Sequence, residues 1–89
     1  MKITRVKFLN LHPTDRNILA YCDVSLDNCL MIHSVKVIEA GGRRFIGMPH
    51  FSRNGEYHDV VNPITREFRD ELTTVVLSAY DKAIRVRVG

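Results

Sequence analysis

The chain lacks the features that mark specialised protein classes. It has no tryptophan, two cysteines, three prolines and five glycines in 89 residues, which excludes a disulfide-rich, collagen-like or low-complexity protein. No internal repeat is visible, so a repeat architecture is excluded as well. The length allows one small domain with a limited core, for which pairing with a second copy is an economical source of stability.

Long hydrophobic runs are also missing. Arg5, Lys7 and Asn10 interrupt the apolar residues at the N-terminus before the core of a signal peptide could form. No stretch approaches the roughly 20 apolar residues that span a bilayer. Cys22 and Cys29 have no CxxC spacing, and a chain without export features is not expected to form disulfides. The sequence therefore predicts a cytoplasmic protein.

The chain has only a small excess of positive charge. Thirteen basic residues against ten acidic ones give +3 and a pI of about 9.1, which barely reaches the range of basic nucleic-acid-binding domains. Arg43, Arg44 and Arg53 lie in a stretch, 40–55, that contains no acidic residue. These arginines could contact phosphates, or they could be solvated side chains paired with nearby carboxylates.

Alternating apolar and polar residues predict an antiparallel sheet of four to five strands. The strands are expected at residues 4–8, 18–26, 30–40, 44–48 and 56–61, with a loop through residues 11–17. Asp27-Asn28 and Asn54-Gly55 are typical of tight hairpin turns. The third strand is apolar on both faces, which indicates either a bulge near Ser34 or burial on both sides.

A C-terminal helix is predicted at about residues 64–82. Apolar residues spaced three and four apart form one stripe along it: Phe68, Leu72, Val75, Val76, Ala79, Tyr80 and Ala83. Asn62 or Thr65 could cap its start, with Pro63 in the first turn. Residues 83–89 are expected to be a tail or an edge strand. Strands followed by one amphipathic helix predict a single domain of the α+β class.

The segment 45–63 contains residue types that are used in catalysis. A two-residue hairpin at Asn54-Gly55 would bring His50, Ser52 and Asp59 to one face, as in a Ser-His-Asp arrangement. Ser52 would lie beside an exposed turn, however, with no evident oxyanion site. The histidines and cysteines have no zinc-type spacing, and the Asp27-Asn28 hairpin would place at most two of them, Cys22 and His33, opposite each other. We therefore expect no enzyme, metal or cofactor.

Several short motifs follow one another in a characteristic order. They are MP at 48–49, GEYHD at 55–59, NPI at 62–64 and VLSAY at 76–80. In this order they resemble the SpoVG family (stage V sporulation protein G, the septation regulator), and the resemblance covers about residues 3–80. It implies a small bacterial cytoplasmic regulator that is dimeric and binds DNA, and in some members RNA, with sequence preference.

The resemblance also implies which residues bind nucleic acid. In the family the basic loop after MP and the start of the helix carry the binding. The loop matches here through Arg53, and the helix through Arg69, with Arg66 at a position not usually basic. Two adjacent basic residues of the family's loop are absent here, where the chain has His50 and its neighbours, and His58 replaces a basic residue.

The expected interface combines these residues. Phosphate contacts are assigned to Arg53, Arg43 and Arg44. Base or register preference is assigned to Thr65, Arg66, Arg69 and Asp70, with His50 and His58 in the loop. Neither a small-molecule substrate nor a membrane is expected as a partner. The alternative function is a protein-interaction adaptor of the cell-division or sporulation machinery, which would add a partner strand at the sheet edge near residues 57–61 or at the tail.

Overall fold

The computed structural model describes residues 1–11 and 17–88, and side chains as far as residue 85. The expected loop at 11–17 therefore lies largely outside the described residues. The elements in chain order are β1 (Ile3–Asn10), β2 (Ile18–Leu26), β3 (Leu30–Ala40), β4 (Arg43–Gly47), β5 (His50–Arg53), β6 (Glu56–Asp59) and α1 (Arg66–Val88).

Strands β1 to β4 form one antiparallel sheet in sequence order, and α1 packs against one face of it. The predicted α+β class is confirmed. From Ala20 to Leu26, every second residue of β2 is fully or almost fully buried, because those side chains point toward the helix. The core contains Ala20, Cys22, Val24, Leu26, Ile32, Val35, Val37, Leu72, Val76 and Tyr80.

A bulge in β3 explains why both of its faces looked apolar. Ser34 has a φ of 63°, and the register between β2 and β3 shifts between Cys22 and Val24. The bulge changes which residues face the core, so Ile32 is buried before it and Val35 after it. The first of the two predicted explanations is thus confirmed.

The turn between β2 and β3 has one more residue than the sequence indicated. Asp27 and Asn28 have positive φ values of 51° and 52°, as expected for a tight turn. However, Leu26 pairs with Leu30 rather than with Cys29. The longer turn and the bulge at Ser34 each shift the register by one residue, so Cys22 lies opposite Val35, and the predicted juxtaposition of Cys22 with His33 is wrong.

Strands β5 and β6 form a separate two-stranded hairpin beyond Met48 and Pro49. Proline has no N–H to donate to a ladder, so a strand commonly ends there. The predicted register is confirmed: His50 pairs with Asp59, and Asn54-Gly55 forms the two-residue turn. At the base of the hairpin, the Val60 N–H donates to the Pro49 carbonyl over 2.8 Å.

The helix begins later and ends later than predicted. Its cap is Thr65, whose Oγ1 accepts a hydrogen bond from the Phe68 N–H at 3.2 Å, so Pro63 precedes the helix instead of lying in its first turn. The prediction of a tail or edge strand after residue 82 is wrong, because α1 continues to Val88. Within the described part of the chain, no helix is long and apolar enough to cross a membrane.

Candidate nucleic-acid interface

The β5–β6 hairpin projects from the main sheet with every side chain exposed. Each of its faces carries one pair of rings. On one face the His50 ring meets the Tyr57 ring edge-on, with centroids 5.1 Å apart. On the other, Phe51 and His58 stack with centroids 5.4 Å apart. The side chains thus make contacts along the hairpin, although none of them belongs to the core.

The hairpin brings the residues of the Ser-His-Asp pattern to one face without assembling a triad. The Nδ1 atom of His50 lies 2.9 Å from Lys36 Nζ, so the imidazole nitrogen accepts a hydrogen bond from the ammonium group. Among the described residues, no hydrogen bond joins Ser52 to His50. The geometry gives no support for nucleophilic catalysis at this position.

The predicted residues Arg53 and His58 lie toward the tip of the hairpin. Arg53 is exposed and pairs in the ladder with Glu56. The Nε2 atom of His58 lies 3.6 Å from a carboxylate oxygen of the same Glu56. The tip therefore carries one guanidinium group and one imidazole ring around a single carboxylate.

The two adjacent arginines at the start of β4 have different surroundings. Arg44 pairs with Glu39 at 3.1 Å and with Asp81 at 3.2 Å, and its guanidinium carbon lies 5.4 Å from the centre of the Tyr80 ring. Arg43 is exposed, and it forms no ion pair with any residue that the structure describes. Only Arg43 of this pair is therefore available to bind a phosphate without breaking contacts within the chain.

The start of α1 carries the other predicted residues. Arg66 is the first helical residue and is exposed. Arg69 is anchored, because its Nη2 atom donates to the Pro63 carbonyl over 3.3 Å. Arg69 and Asp59 both line a cavity of about 410 Å³ where β4, the base of the hairpin and α1 meet. The structure therefore brings the helix start and the base of the hairpin together.

The sequence interpretation missed Lys36. It is half-buried on β3, alternates with the buried Val37, and so lies on the sheet face away from the helix. Its contact with His50 adds a cation beside the hairpin. The sequence feature that could have identified Lys36 was its position next to Val37 on a central strand. Nothing in the sequence, however, predicted that the chain would pass close to Lys36 again after Pro49.

The titratable residues of the core provide no alternative site. Burial, with a smaller contribution from the Asp23 carboxylate, raises the pKa of the Cys22 thiol to about 12. Cys29 is exposed and does not contact it as a disulfide partner. Within the part of the chain that the structure describes, no three His, Cys, Asp or Glu side chains cluster as metal ligands.

Comparisons of the sequence with a family profile and with individual proteins identify the same family. The SpoVG family profile matches residues 1–82. A relative from Treponema denticola is 39% identical over 92% of this chain and 88% of its own length. One from Fusobacterium nucleatum is 40% identical over 90% and 88%, and one from Macrococcus caseolyticus is 33% identical over 100% and 77%. Their names provisionally assign all three to septation under the designation SpoVG. This chain therefore belongs to the SpoVG family.

Proposed function

We propose that this protein is a homodimeric regulator that binds DNA or RNA and acts in septation or sporulation. The observation that carries the proposal is the convergence of the basic helix start and the exposed hairpin at the cavity lined by Arg69 and Asp59. Both elements project polar and cationic groups, and neither the hairpin nor Arg66 is used by the core. No catalytic step is part of the proposal.

The binding residues divide into two groups by position. Arg53 at the hairpin tip and Arg43 at the β3–β4 turn contact phosphates, which fixes the orientation of the nucleic acid. Arg66 and Arg69 at the helix start lie where side chains can reach base edges. Thr65 holds this turn in place through its cap. His50 and His58 take the place of the family's basic loop residues, while Arg44 holds α1 against β4.

The homodimer is proposed from an apolar groove next to the helix start. The groove has a volume of about 380 Å³ and is lined by Leu26, Leu30, Ile32, Met48, Phe68 and neighbouring residues. Ile64 at its rim is 90% exposed, which is unusual for a large aliphatic side chain unless a partner covers it. A second copy related by twofold symmetry would bury both Ile64 side chains and bring the two helix starts close together.

Charge-matched variants test the nucleic-acid proposal. Arg53→Ala and Arg69→Ala are compared with Lys82→Ala, which removes an exposed cation from the far half of α1. Binding to labelled DNA and RNA pools is measured over a range of salt concentrations. Both interface variants should weaken binding, whereas Lys82→Ala should bind as the parent does. Arg53→Ala should also reduce the salt dependence by about one phosphate contact, and Arg69→Ala should reduce the sequence preference. Equal behaviour of all three variants would contradict the proposal.

Ile64→Asp tests the dimer separately. Since Ile64 is exposed, the substitution should leave the fold intact, which circular dichroism would verify. Analytical ultracentrifugation should show the parent protein as a dimer and the variant shifted to monomer. A variant that stays dimeric at micromolar concentration would place the interface elsewhere.

The adaptor function remains the second candidate because β6 has an outer edge that pairs with no strand in the described structure. Such an edge can accept a strand from another protein. Residues 83–88 do not support the adaptor function, because they belong to α1 and offer no strand edge. A protein that binds neither DNA nor RNA at low salt, yet loses a co-purifying protein when Tyr57 is replaced by proline, would favour the adaptor.

A further inference from the structure

A second cavity lies on the other side of the hairpin base. It has a volume of about 350 Å³ and is formed between β3, β4 and the β5–β6 hairpin. Its apolar walls are Ile38, Met48 and the ring of Tyr57, and its polar groups are Lys36, His50 and Asp59. We propose that this cavity binds one unpaired nucleobase. The inference rests on the proposed nucleic-acid binding and specifies single strands as the preferred ligand.

The floor of the cavity is shaped by Gly47. A Cβ atom at this position would lie only 2.7 Å from Ile38 Cδ1, so a side chain at residue 47 would require the end of the Ile38 side chain to move. Ile38 lies on the same sheet face as Lys36 and opposite Phe45. Ile38 thus presents an aliphatic surface in the same cavity as the Tyr57 ring, which suits the face of a base.

Tyr57 provides the stacking surface. Tyr57 is 76% exposed, so most of this large aromatic residue is accessible to a ligand. The edge contact with the His50 ring, at 5.1 Å, restrains it. An exposed and restrained aromatic ring beside a cationic side chain is the arrangement on which single-stranded nucleic acids stack their bases.

The polar groups fit the edge of a base rather than a simple anion. The Lys36 ammonium donates to His50 Nδ1, which leaves the proton of the neutral ring on Nε2 as a hydrogen-bond donor. The Asp59 carboxylate, opposite His50 in the ladder, is an acceptor for an exocyclic amino group. A donor and an acceptor side by side match the edge of a base, whereas the carboxylate would repel an isolated phosphate.

A duplex cannot supply this ligand directly. A paired base is enclosed by its neighbours in the stack and must leave it before an enzyme or binding pocket can reach its faces. The cavity should therefore discriminate between a single strand and the duplex of the same sequence, while the arginines proposed to bind phosphates should not.

The test uses three variants of the full chain. Tyr57→Ala removes the stacking ring and Tyr57→Phe retains it, and Phe51→Ala is the matched control, because Phe51 lies on the opposite face of the same hairpin. The probe is a mixed-sequence single-stranded oligonucleotide that contains 2-aminopurine, together with its annealed duplex. Tyr57→Ala should weaken single-strand binding by roughly tenfold and abolish the quenching of 2-aminopurine. Tyr57→Phe and Phe51→Ala should bind and quench as the parent does.

The outcomes separate this inference from the function on which it depends. If the parent protein binds single strand and duplex equally and Tyr57→Ala changes neither, the base site is wrong while nucleic-acid binding stands. If the parent binds neither probe at low salt, both proposals fall. A loss of binding to both probes in Tyr57→Ala, with an altered circular dichroism spectrum, would show that Tyr57 supports the hairpin instead and would also overturn the base site.

Discussion

Arg44 and Asp81 connect the edge strand β4 to the second half of α1 through a 3.2 Å hydrogen bond. The same guanidinium group also binds Glu39 on the neighbouring strand and lies over the Tyr80 ring. One side chain therefore contacts β3 and the helix at once. The helix is otherwise held to the sheet mainly by apolar packing.

Arg44→Ala should lower the free energy of unfolding by about 1 kcal/mol. Exposed ion pairs contribute about 0.2–1 kcal/mol, and an exposed cation–π contact about 0.5–1 kcal/mol. Arg43→Ala, which removes the same charge from a side chain without an ion pair, should change stability by less than about 0.5 kcal/mol. Urea unfolding followed by circular dichroism measures both, and equal losses would show that the Arg44 contacts do not stabilise the fold.

Cys22 and Cys29 should react with alkylating reagents at very different rates. The thiolate is the nucleophile, and a pKa of about 12 leaves Cys22 almost fully protonated at pH 8, besides its complete burial. Iodoacetamide should therefore label only Cys29 in the native protein and both residues in urea. Both cysteines lie in one tryptic peptide, residues 17–36, so fragmentation of that peptide by tandem mass spectrometry distinguishes the two sites. Comparable labelling of Cys22 under native conditions would mean that the core between the sheet and α1 opens readily.

Ser34→Gly should stabilise the protein slightly. A non-glycine residue in the left-handed region is disfavoured by about 1–2 kcal/mol, and the greater flexibility of glycine in the unfolded chain offsets about 0.5–1 kcal/mol of that gain. The net effect should be an increase of about 0.5 kcal/mol, since the Ser34 N–H can still donate to Asp23.

Ser25→Gly is the matched control for that substitution. Ser25 lies within β2 and has no positive φ, so glycine there should lower stability by about 0.5–1 kcal/mol. Thermal unfolding of the two variants should give shifts of opposite sign. Shifts of the same sign would show that the bulge imposes no backbone strain at Ser34.

Thr65→Ala should destabilise α1 at its start. Removal of an N-cap oxygen typically lowers stability by about 1 kcal/mol, because one of the first backbone N–H groups loses its partner. Thr65→Ser retains the oxygen and should stay within a few tenths of a kcal/mol of the parent. Urea unfolding provides the values, and a loss of equal size in both variants would assign the effect to the methyl group of Thr65.

The sequence predicted most of the fold because its strongest patterns are local. The alternation in β2 identified the residues that face the core, and Asn54-Gly55 specified the hairpin register. The strand register after the Asp27-Asn28 turn was harder to predict. These two residues have the positive φ values of a tight turn, but Cys29 adds one residue before the pairing resumes and shifts the register by one. The end of the chain was predicted to be a tail or an edge strand because valine and arginine alternate there. The same residues are also compatible with the continuation of a helix whose earlier turns pack against the core.

The candidate site was less accessible from the sequence because it depends on contacts between distant segments. Nothing in the sequence distinguished Arg43 from Arg44 as phosphate-binding residues. Because neighbouring residues of a strand face opposite sides, only Arg44 lies on the helix side of the sheet. Lys36 lies 14 residues before its partner His50, and that contact arises only when the chain turns at Met48-Pro49. No local periodicity in the sequence indicates that these two segments come into contact.

The exposure of the whole β5–β6 hairpin has a consequence for how the protein can change over evolutionary time. Since no residue of these two strands is buried, substitutions there leave the packing between the main sheet and α1 intact. The residues of this segment can therefore vary with little effect on the ability of the chain to fold.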